Sequence, residues 1–307
     1  MRDPDYWKTH YVTASDPDEI EAAIRVDHFV SAGQRFELLH FPMAVDAPNV
    51  LISQGSGAHP YVFAELAWKI HRGGFNVFVM PKHGGQTVEA LHRRHRDAVD
   101  HIASAFNPTI GLYSEGLGAY VAFYLAVAHA PIASIACENG PAIMTEPAYH
   151  NAVLTDGGPW AGTSRRRRII LPIARRLVKV APNLPVPIWS YLDFKALVDR
   201  TDGAGDLETK LVDGCLHDPD FDRWYPLRAV MSLMSTAPPE PLDRLTTPTM
   251  FLIARRGPTP GYIADLFQRL PVTEKSSVDI DGGVFWMLSH PDSAAKIACE
   301  WFAASLH

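Results

Sequence analysis

The chain has 307 residues, enough for one large domain or two small ones. Apolar residues make up 47% of it and charged residues 20%, a balance typical of a globular protein with an ample core. The formal net charge of −6 gives no reason to expect nucleic acid as a partner. The N-terminal residues lack the apolar run of a secretory signal, and no stretch approaches the roughly 18 apolar residues of a membrane span, so we expect no membrane partner.

The three cysteines, Cys137, Cys215 and Cys299, are odd in number and far apart in the sequence. Such spacing fits neither a disulfide framework nor a zinc site, and it favours a reducing, cytoplasmic setting. The sequence contains no phosphate-binding loop, and no glycine-rich dinucleotide motif follows a predicted strand. We therefore expect neither a cofactor nor a metal ion.

Apolar runs closed by glycine, proline or serine alternate with amphipathic stretches along most of the chain. Two β-like runs come first, at 28–33 and 35–41, joined by a short turn at Gly33-Gln34. Further strands are predicted at 49–55, 75–81, 109–114, 132–140, 248–254 and 276–281. Helices are predicted at 61–74, 88–106, 115–130 and 261–270, and at the C-terminus around Ile297, Trp301 and Phe302. This alternation predicts an α/β fold with a mostly parallel central sheet flanked by helices.

The alternation is interrupted between about 141 and 245, where proline, tryptophan and arginine are frequent. We predict a core formed by residues 1–140 and 246–307, with residues 141–245 inserted after the sixth core strand as a helical cap. Such an insertion would cover the carboxyl edge of the sheet, where open α/β sheets bind their ligands.

The segment Leu112-Tyr113-Ser114-Glu115-Gly116, between a predicted strand and a predicted helix, resembles the nucleophile elbow of the α/β-hydrolase superfamily. The usual pattern is G-x-S-x-G, and Leu112 stands where a small residue is normal. The resemblance implies the α/β-hydrolase fold and places Ser114 as a nucleophile on the sharp turn. It also implies an oxyanion hole and pocket formed by Gln54, Gly55 and Ser56 together with the backbone N–H of Glu115.

The remaining catalytic positions of the superfamily are not matched. The resemblance implies a histidine after the last strand, and Val284 stands there. It implies an acid after the preceding strand, where Gly257 or Pro258 stands. With Val284 and Phe285, Trp286 would make the corner of the missing histidine hydrophobic.

Substitutes for the missing base and acid are available at the carboxyl edge of the sheet. We consider a Ser114–His83–Glu138 arrangement, with His59 as a second candidate base. The alternative is that both histidines are loop residues bonded to the backbone and that Glu138 caps a neighbouring loop. Ser114 itself would then cap the following helix or line a pocket.

Several basic residues could attract an anionic ligand. Arg255 and Arg256 replace the acid loop, and Arg165–Arg168, Arg175, Arg176 and Lys179 form a basic stretch in the inserted segment. The alternative for Arg255 and Arg256 is a solvated or structurally paired turn, and the basic stretch is more typical of a solvated helix face whose apolar side packs on the core. His92 and His95 lie among arginines on a predicted helix, and we expect them on its surface face.

Two hypotheses follow for the function. The first is a serine-dependent acyl hydrolase that cleaves an ester or thioester with an atypical or degenerate triad. The second is a repurposed hydrolase fold that binds a small molecule without hydrolysing it, or that acts as a lyase or isomerase. In either case the expected partner is an apolar or anionic small molecule, and the oligomeric state is left open.

Overall fold

The computed structural model describes residues 5–128, 131–143, 146, 165–190, 206–236, 241–257 and 259–306. All eight predicted core strands lie in one sheet, in the order β1-β2-β4-β3-β5-β6-β9-β10. The strands are β1 (Arg25–Ser31), β2 (Gln34–Phe41), β3 (Asn49–Ser53), β4 (Asn76–Val79), β5 (Ile110–Glu115), β6 (Ile132–Glu138), β9 (Thr249–Ala254) and β10 (Lys275–Ile280). Two short strands, β7 (Pro185–Pro187) and β8 (Trp224–Pro226), form a separate antiparallel pair.

The sheet is mostly parallel, as predicted. Strand β2 pairs antiparallel with β1 and β4, and the other neighbouring strands are parallel. Every residue of β3, β4, β5 and β9 is buried, which explains why these strands are continuous apolar runs. The first hairpin turns at Ala32 and Gly33, whose φ angles are 49° and 77°.

Helices flank the sheet: α1 (Tyr6–His10), α2 (Pro17–Ala23), α3 (Ala64–Arg72), α4 (Val88–Ala105), α5 (Leu117–Ala128), α6 (Arg165–Val180), α7 (Asp206–His217), α8 (Leu227–Ser235), α9 (Pro260–Arg269), α10 (Trp286–Ser289) and α11 (Pro291–Ser305). Short 3₁₀ helices occupy Pro60–Phe63, Ile188–Ser190 and Leu242–Arg244. Local signals set several boundaries. Thr87 caps α4 by accepting a hydrogen bond from the Ala90 N–H, and proline opens α9 and α11.

The inserted segment contributes α6, α7, α8 and the β7–β8 pair to the described part of the chain. The contacts that join it to loops at the carboxyl edge of the sheet include two hydrogen bonds from backbone N–H groups. The Asp222 N–H donates to the Gly57 carbonyl at 2.9 Å, and the Gly283 N–H donates to Glu208 Oε1 at 3.2 Å. The division into a core and a cap with boundaries at 141 and 245 stays a prediction. None of the helices in the described ranges is long and apolar enough to cross a membrane.

Candidate functional site

The sharp turn between β5 and α5 lies at Gly116. Strand β5 ends at Glu115 and α5 begins at Leu117, so Gly116 alone joins them, with φ at +53°. Its N–H donates to the Glu138 carbonyl at 3.2 Å, which ties the turn to the end of β6. Ser114 lies inside β5, two residues before the turn. The expectation that Ser114 occupies the turn is therefore wrong, because the left-handed conformation there is taken by a glycine, which has no Cβ to oppose it.

A shift of the motif by two residues removes the irregularity at Leu112. In Ser114-Glu115-Gly116-Leu117-Gly118, the two small-residue positions are Ser114 and Gly118, and Gly116 stands at the turn. A Cβ on Gly118 would overlap the Ser53 carbonyl oxygen, so the glycine lets α5 approach β3 closely. Packing thus requires a glycine at 118, and the shifted register places Gly116 at the central position of the motif.

The predicted Ser114–His83–Glu138 arrangement is not assembled. The Ser114 hydroxyl donates to the Ala136 carbonyl at 3.3 Å. His83 Nε2 lies 2.5 Å from the Gln54 carbonyl and donates to it, since a carbonyl oxygen can only accept. Ser114 and His83 are therefore each hydrogen-bonded to a backbone carbonyl and not to one another. For His83 this is the alternative hypothesis, a loop histidine bonded to the backbone.

His83 is fully enclosed by its neighbours. Burial lowers the pKa of His83 to about 4, so the ring is neutral at pH 7. Its other nitrogen, Nδ1, is buried and has no hydrogen-bond partner in the described part of the chain. Nδ1 is therefore a proton acceptor without a donor among the described residues.

Glu138 and Glu115 form a pair of buried carboxyl groups at the carboxyl ends of adjacent strands. The two residues are register partners in the parallel β5–β6 ladder, so their side chains leave the sheet on the same face. Glu138 accepts hydrogen bonds from the Tyr113 hydroxyl at 3.1 Å and from Asn139 Nδ2 at 3.3 Å. These contacts place two acids, rather than a serine and a base, beside the turn.

The environment of this pair favours the protonated form of both carboxyl groups. Burial raises the pKa of Glu115 to about 7, although a hydrogen bond from the Gly55 N–H opposes the change. Burial, and then the neighbouring Glu115 carboxyl, raise the pKa of Glu138 well above its usual range. At neutral pH the pair can therefore hold a proton and release it to a bound molecule.

The loop predicted to form the oxyanion hole contacts the same pair. Gly55 packs directly on the Glu115 carboxyl group, where a Cβ would overlap Oε2. Gln54 Nε2 donates to the Met80 carbonyl at 2.8 Å, while its Oε1 is buried without a partner among the described residues. Ser56 is partly exposed. The loop thus lies at the site, but its neighbour is a glutamate side chain instead of a serine hydroxyl.

The corner where the resemblance implies a histidine is filled by backbone and an aromatic ring. Val284 is buried, and its carbonyl accepts a hydrogen bond from Asn139 Nδ2 at 3.4 Å. Trp286 is also buried. It packs on Gly282 and stacks on His290 with 5.6 Å between ring centroids. The side chains of Val284 and Trp286 are thus both buried, while the role of this corner in a site stays a prediction.

The two arginines at the acid position form ion pairs with strand β10 and the residue that follows it. Arg255 pairs with Asp279, and Arg256 Nε lies 2.6 Å from Asp281 Oδ1. Both pairs are partly or largely exposed, so the arginines are engaged at the surface. Of the basic stretch, Arg175, Arg176 and Lys179 are exposed on α6, and the side chains of 165–168 lie outside the described residues, as does Pro258.

Two polar pairs were missed by sequence reasoning. His95 is buried and its Nε2 lies 2.7 Å from Ser53 Oγ, so the prediction of a surface position for His95 is wrong. His95 Nδ1 donates to the Leu91 carbonyl at 2.9 Å, which leaves Nε2 to accept the Ser53 proton. The second pair joins His59 and Asp218 at 2.7 Å. Among the described residues, no group of three or more histidine, cysteine or acidic side chains is placed to hold a metal ion.

No protein-family model matches the sequence, and no curated protein matches it. Solved structures do. A monoacylglycerol lipase from Paleococcus ferrophilus superposes with a TM-score of 0.63 at 17% identity, covering 92% of this chain and 98% of that one. A soluble monoglyceride lipase variant from Saccharomyces cerevisiae gives 0.66 at 11% identity over 92% and 95%. The α/β hydrolase GrgF from Penicillium sp. sh18 gives 0.69 at 13% identity over 92% and 99%.

These likenesses extend over almost the whole chain and share its mostly parallel eight-stranded sheet. The chain therefore has the α/β-hydrolase fold, as the resemblance around Ser114 implied. At these identities the likeness establishes the fold alone, and the chemistry has to be argued from the residues of the site.

Proposed function

We propose that this chain is a non-hydrolytic member of the α/β-hydrolase fold that binds a small molecule at the carboxyl edge of its sheet. The observation that carries the proposal is Gly116 at the turn between β5 and α5. A glycine provides no atom that could attack a carbonyl group, so an acyl-enzyme cannot form at the position where this fold carries its nucleophile.

The surroundings of Ser114 support the same proposal. Its hydroxyl is fully buried in the sheet and donates to a backbone carbonyl, which cannot take up its proton. His83 is occupied with another carbonyl, and Val284 supplies no imidazole. The positions expected for the nucleophile and the base of a serine hydrolase thus hold no group suited to either role. The apolar or anionic nature of the ligand and the cytoplasmic setting stay predictions.

Ester hydrolysis and active-site labelling test the proposal. We would measure turnover of short and medium p-nitrophenyl esters, and mass adducts with a fluorophosphonate, for wild type and Ser114→Ala. We expect both proteins to stay at the buffer rate and to remain unlabelled. Ser104→Ala, which changes an exposed serine, is the matched control for any unspecific labelling. Turnover that is present in wild type and lost in Ser114→Ala would overturn the proposal and restore the serine-hydrolase hypothesis.

A second candidate function, acid–base catalysis of the lyase or isomerase kind, is favoured by one specific observation. Glu115 is a buried carboxyl whose pKa burial raises to about 7, beside the turn where ligands of this fold bind. A proton donor and acceptor with a pKa near the working pH is the group such catalysis needs.

Hydrogen exchange at carbon tests this second function. We would incubate simple ketones and aldehydes with wild type and Glu115→Gln in D₂O and follow the loss of α-proton signals by NMR. Exchange catalysed by wild type and abolished in Glu115→Gln supports catalysis by this carboxyl. Equal background rates in both proteins would contradict this second function.

A further inference from the structure

A histidine–aspartate pair lies beside a cavity that the proposed function does not use. His59 Nε2 donates to Asp218 Oδ2 at 2.7 Å, and the Tyr11 hydroxyl donates to the same oxygen at 2.6 Å. Although burial opposes it, these hydrogen bonds lower the pKa of Asp218 to about 2. The carboxylate is therefore ionised at neutral pH, and the proton of the pair resides on Nε2 of the histidine.

The cavity has a volume of about 610 Å³, within the range of small-molecule sites, which is roughly 300–1,000 Å³. His59 and Asp218 lie at its buried end, and Tyr6, Trp7 and Tyr61 contribute aromatic walls. None of the residues around Gly116 described above lines it. This cavity is thus a separate candidate site.

The charges around the cavity favour a cation. Its lining includes one lysine, Lys82, and four acidic residues: Glu21, Glu37, Asp218 and Asp220. The Lys82 ammonium donates to the Asp220 carbonyl at 2.8 Å and lies 3.4 Å from Asp222 Oδ1, so its charge is already engaged. The Glu21 carboxylate is likewise engaged, by the Lys8 ammonium at 2.6 Å. The negative field that an entering ligand meets is therefore set by the carboxylates of Asp218 and Glu37.

The hydrogen-bonding and aromatic groups narrow the ligand further. His59 is more than nine-tenths buried, and no hydrogen bond to its Nδ1 is found within the described ranges. When a neutral imidazole carries its hydrogen on Nε2, its Nδ1 can only accept a hydrogen bond. A ligand that binds to Nδ1 must therefore supply a donor. The Trp7 and Tyr61 rings lie 5.5 Å apart between centroids with 32° between their planes, a surface on which a cation or an aromatic group can pack.

From these contacts we infer that the cavity binds a small primary amine in its protonated form. The ammonium group donates to His59 Nδ1 at the buried end, the acidic rim with Glu37 balances its charge, and its organic part packs on Trp7 and Tyr61. This site is independent of the proposed function at the turn.

Titration calorimetry with three isosteric probes tests the inference at neutral pH. Phenethylamine carries the cation, 2-phenylethanol is its neutral counterpart, and phenylacetate carries an anion on a similar skeleton. We expect phenethylamine to bind at least about tenfold more tightly than 2-phenylethanol, and we expect phenylacetate not to bind. Equal affinity for amine and alcohol, or no heat from the amine at millimolar concentration, would overturn the inference.

Substitutions of residues that line the cavity test whether the amine binds there. His59→Gln keeps an N–H that can bond Asp218 but removes the Nδ1 acceptor, and Glu37→Gln removes an exposed rim charge without disturbing the core. Each is expected to weaken amine binding several-fold, whereas Glu274→Gln, an exposed carboxylate outside the cavity, leaves it unchanged. Undiminished binding in Glu37→Gln and in a folded His59→Gln would place the amine elsewhere and refute the site. Wild type and Ser114→Ala are expected to bind the amine equally, whatever the outcome of the ester assay.

Discussion

Replacing Glu115 by glutamine should change how the stability of this protein depends on pH. The ordinary pKa of the group is 4.5, and burial raises it to about 7 in the folded chain. Between these values the unfolded chain has lost the proton that the folded chain still holds. The unfolded state then binds fewer protons, so the free energy of unfolding falls as the pH rises.

The size of the effect follows from the same values. With about 1.4 kcal/mol for each pH unit, the interval from 4.5 to about 7 corresponds to a loss of about 3 kcal/mol of stability in the wild type. The loss should be complete near pH 8 and absent below pH 4.5. In Glu115→Gln the amide has no proton to lose, and Glu138 no longer faces a neighbouring carboxyl that raises its pKa. The variant should therefore gain stability relative to wild type as the pH increases.

Urea unfolding followed by tryptophan fluorescence at several pH values between about 4.5 and 8 measures the difference. Glu274→Gln, which removes an exposed carboxyl, serves as the control and should follow the wild-type curve. An equal stability difference between wild type and Glu115→Gln at every pH would contradict a raised pKa of Glu115. A wild-type stability that rose with pH relative to the variant would contradict it as well.

Further substitutions test the packing of the site by urea unfolding at pH 7. Gly118→Ala should destabilise the chain more than Gly116→Ala, because the new Cβ at 118 would overlap the Ser53 carbonyl oxygen. Gly116→Ala mainly introduces the strain of a left-handed alanine, about 1–2 kcal/mol. The reverse order would contradict the placement of the turn. Ser53→Ala should cost about 1–3 kcal/mol, because it leaves His95 Nε2 buried without a donor, and a neutral result would argue against that hydrogen bond. Asp279→Asn, at an exposed ion pair, should change stability by less than about 1 kcal/mol, and a larger loss would show that the pair is structurally important.

The fold could be predicted because its signals are local and repeated. Strands β3, β4, β5 and β9 are short apolar runs closed by glycine, serine or proline, and each is buried on both faces as such a run requires. Helix α4 begins at a threonine cap and ends just before an asparagine–proline pair. Each boundary depends on residues within a few positions, which are visible in the sequence.

The site was harder to predict because it depends on a backbone angle and on distant contacts. A serine followed by glutamate and glycine fits the familiar motif at Ser114, yet the residue with positive φ is Gly116. Leu112 was the signal in the sequence, because a bulky residue at a small-residue position indicates a different register of the motif. His95 gave a similar signal, because it lies four residues after Leu91 and four before Val99 on the buried face of α4.

The pair of His59 and Asp218 had no such signal. The two residues are 159 positions apart and meet only because the loop after β3 packs on the inserted segment. Neither residue belongs to a motif with fixed spacing, so only the folded chain brings them together.

Under the proposed function, the three departures from the hydrolase pattern have different consequences. At the turn a side chain is missing, at the histidine position a peptide carbonyl is held by Asn139, and at the acid position two arginines have formed exposed ion pairs. A single relocated base could compensate for the second loss alone, but no relocated base restores an attacking atom to Gly116. The glycine also adopts the left-handed conformation of the turn without strain. A proposed site with a glycine at the turn and two buried carboxyl groups beside it is better suited to bind a molecule, or to exchange a proton with it, than to form an ester with it.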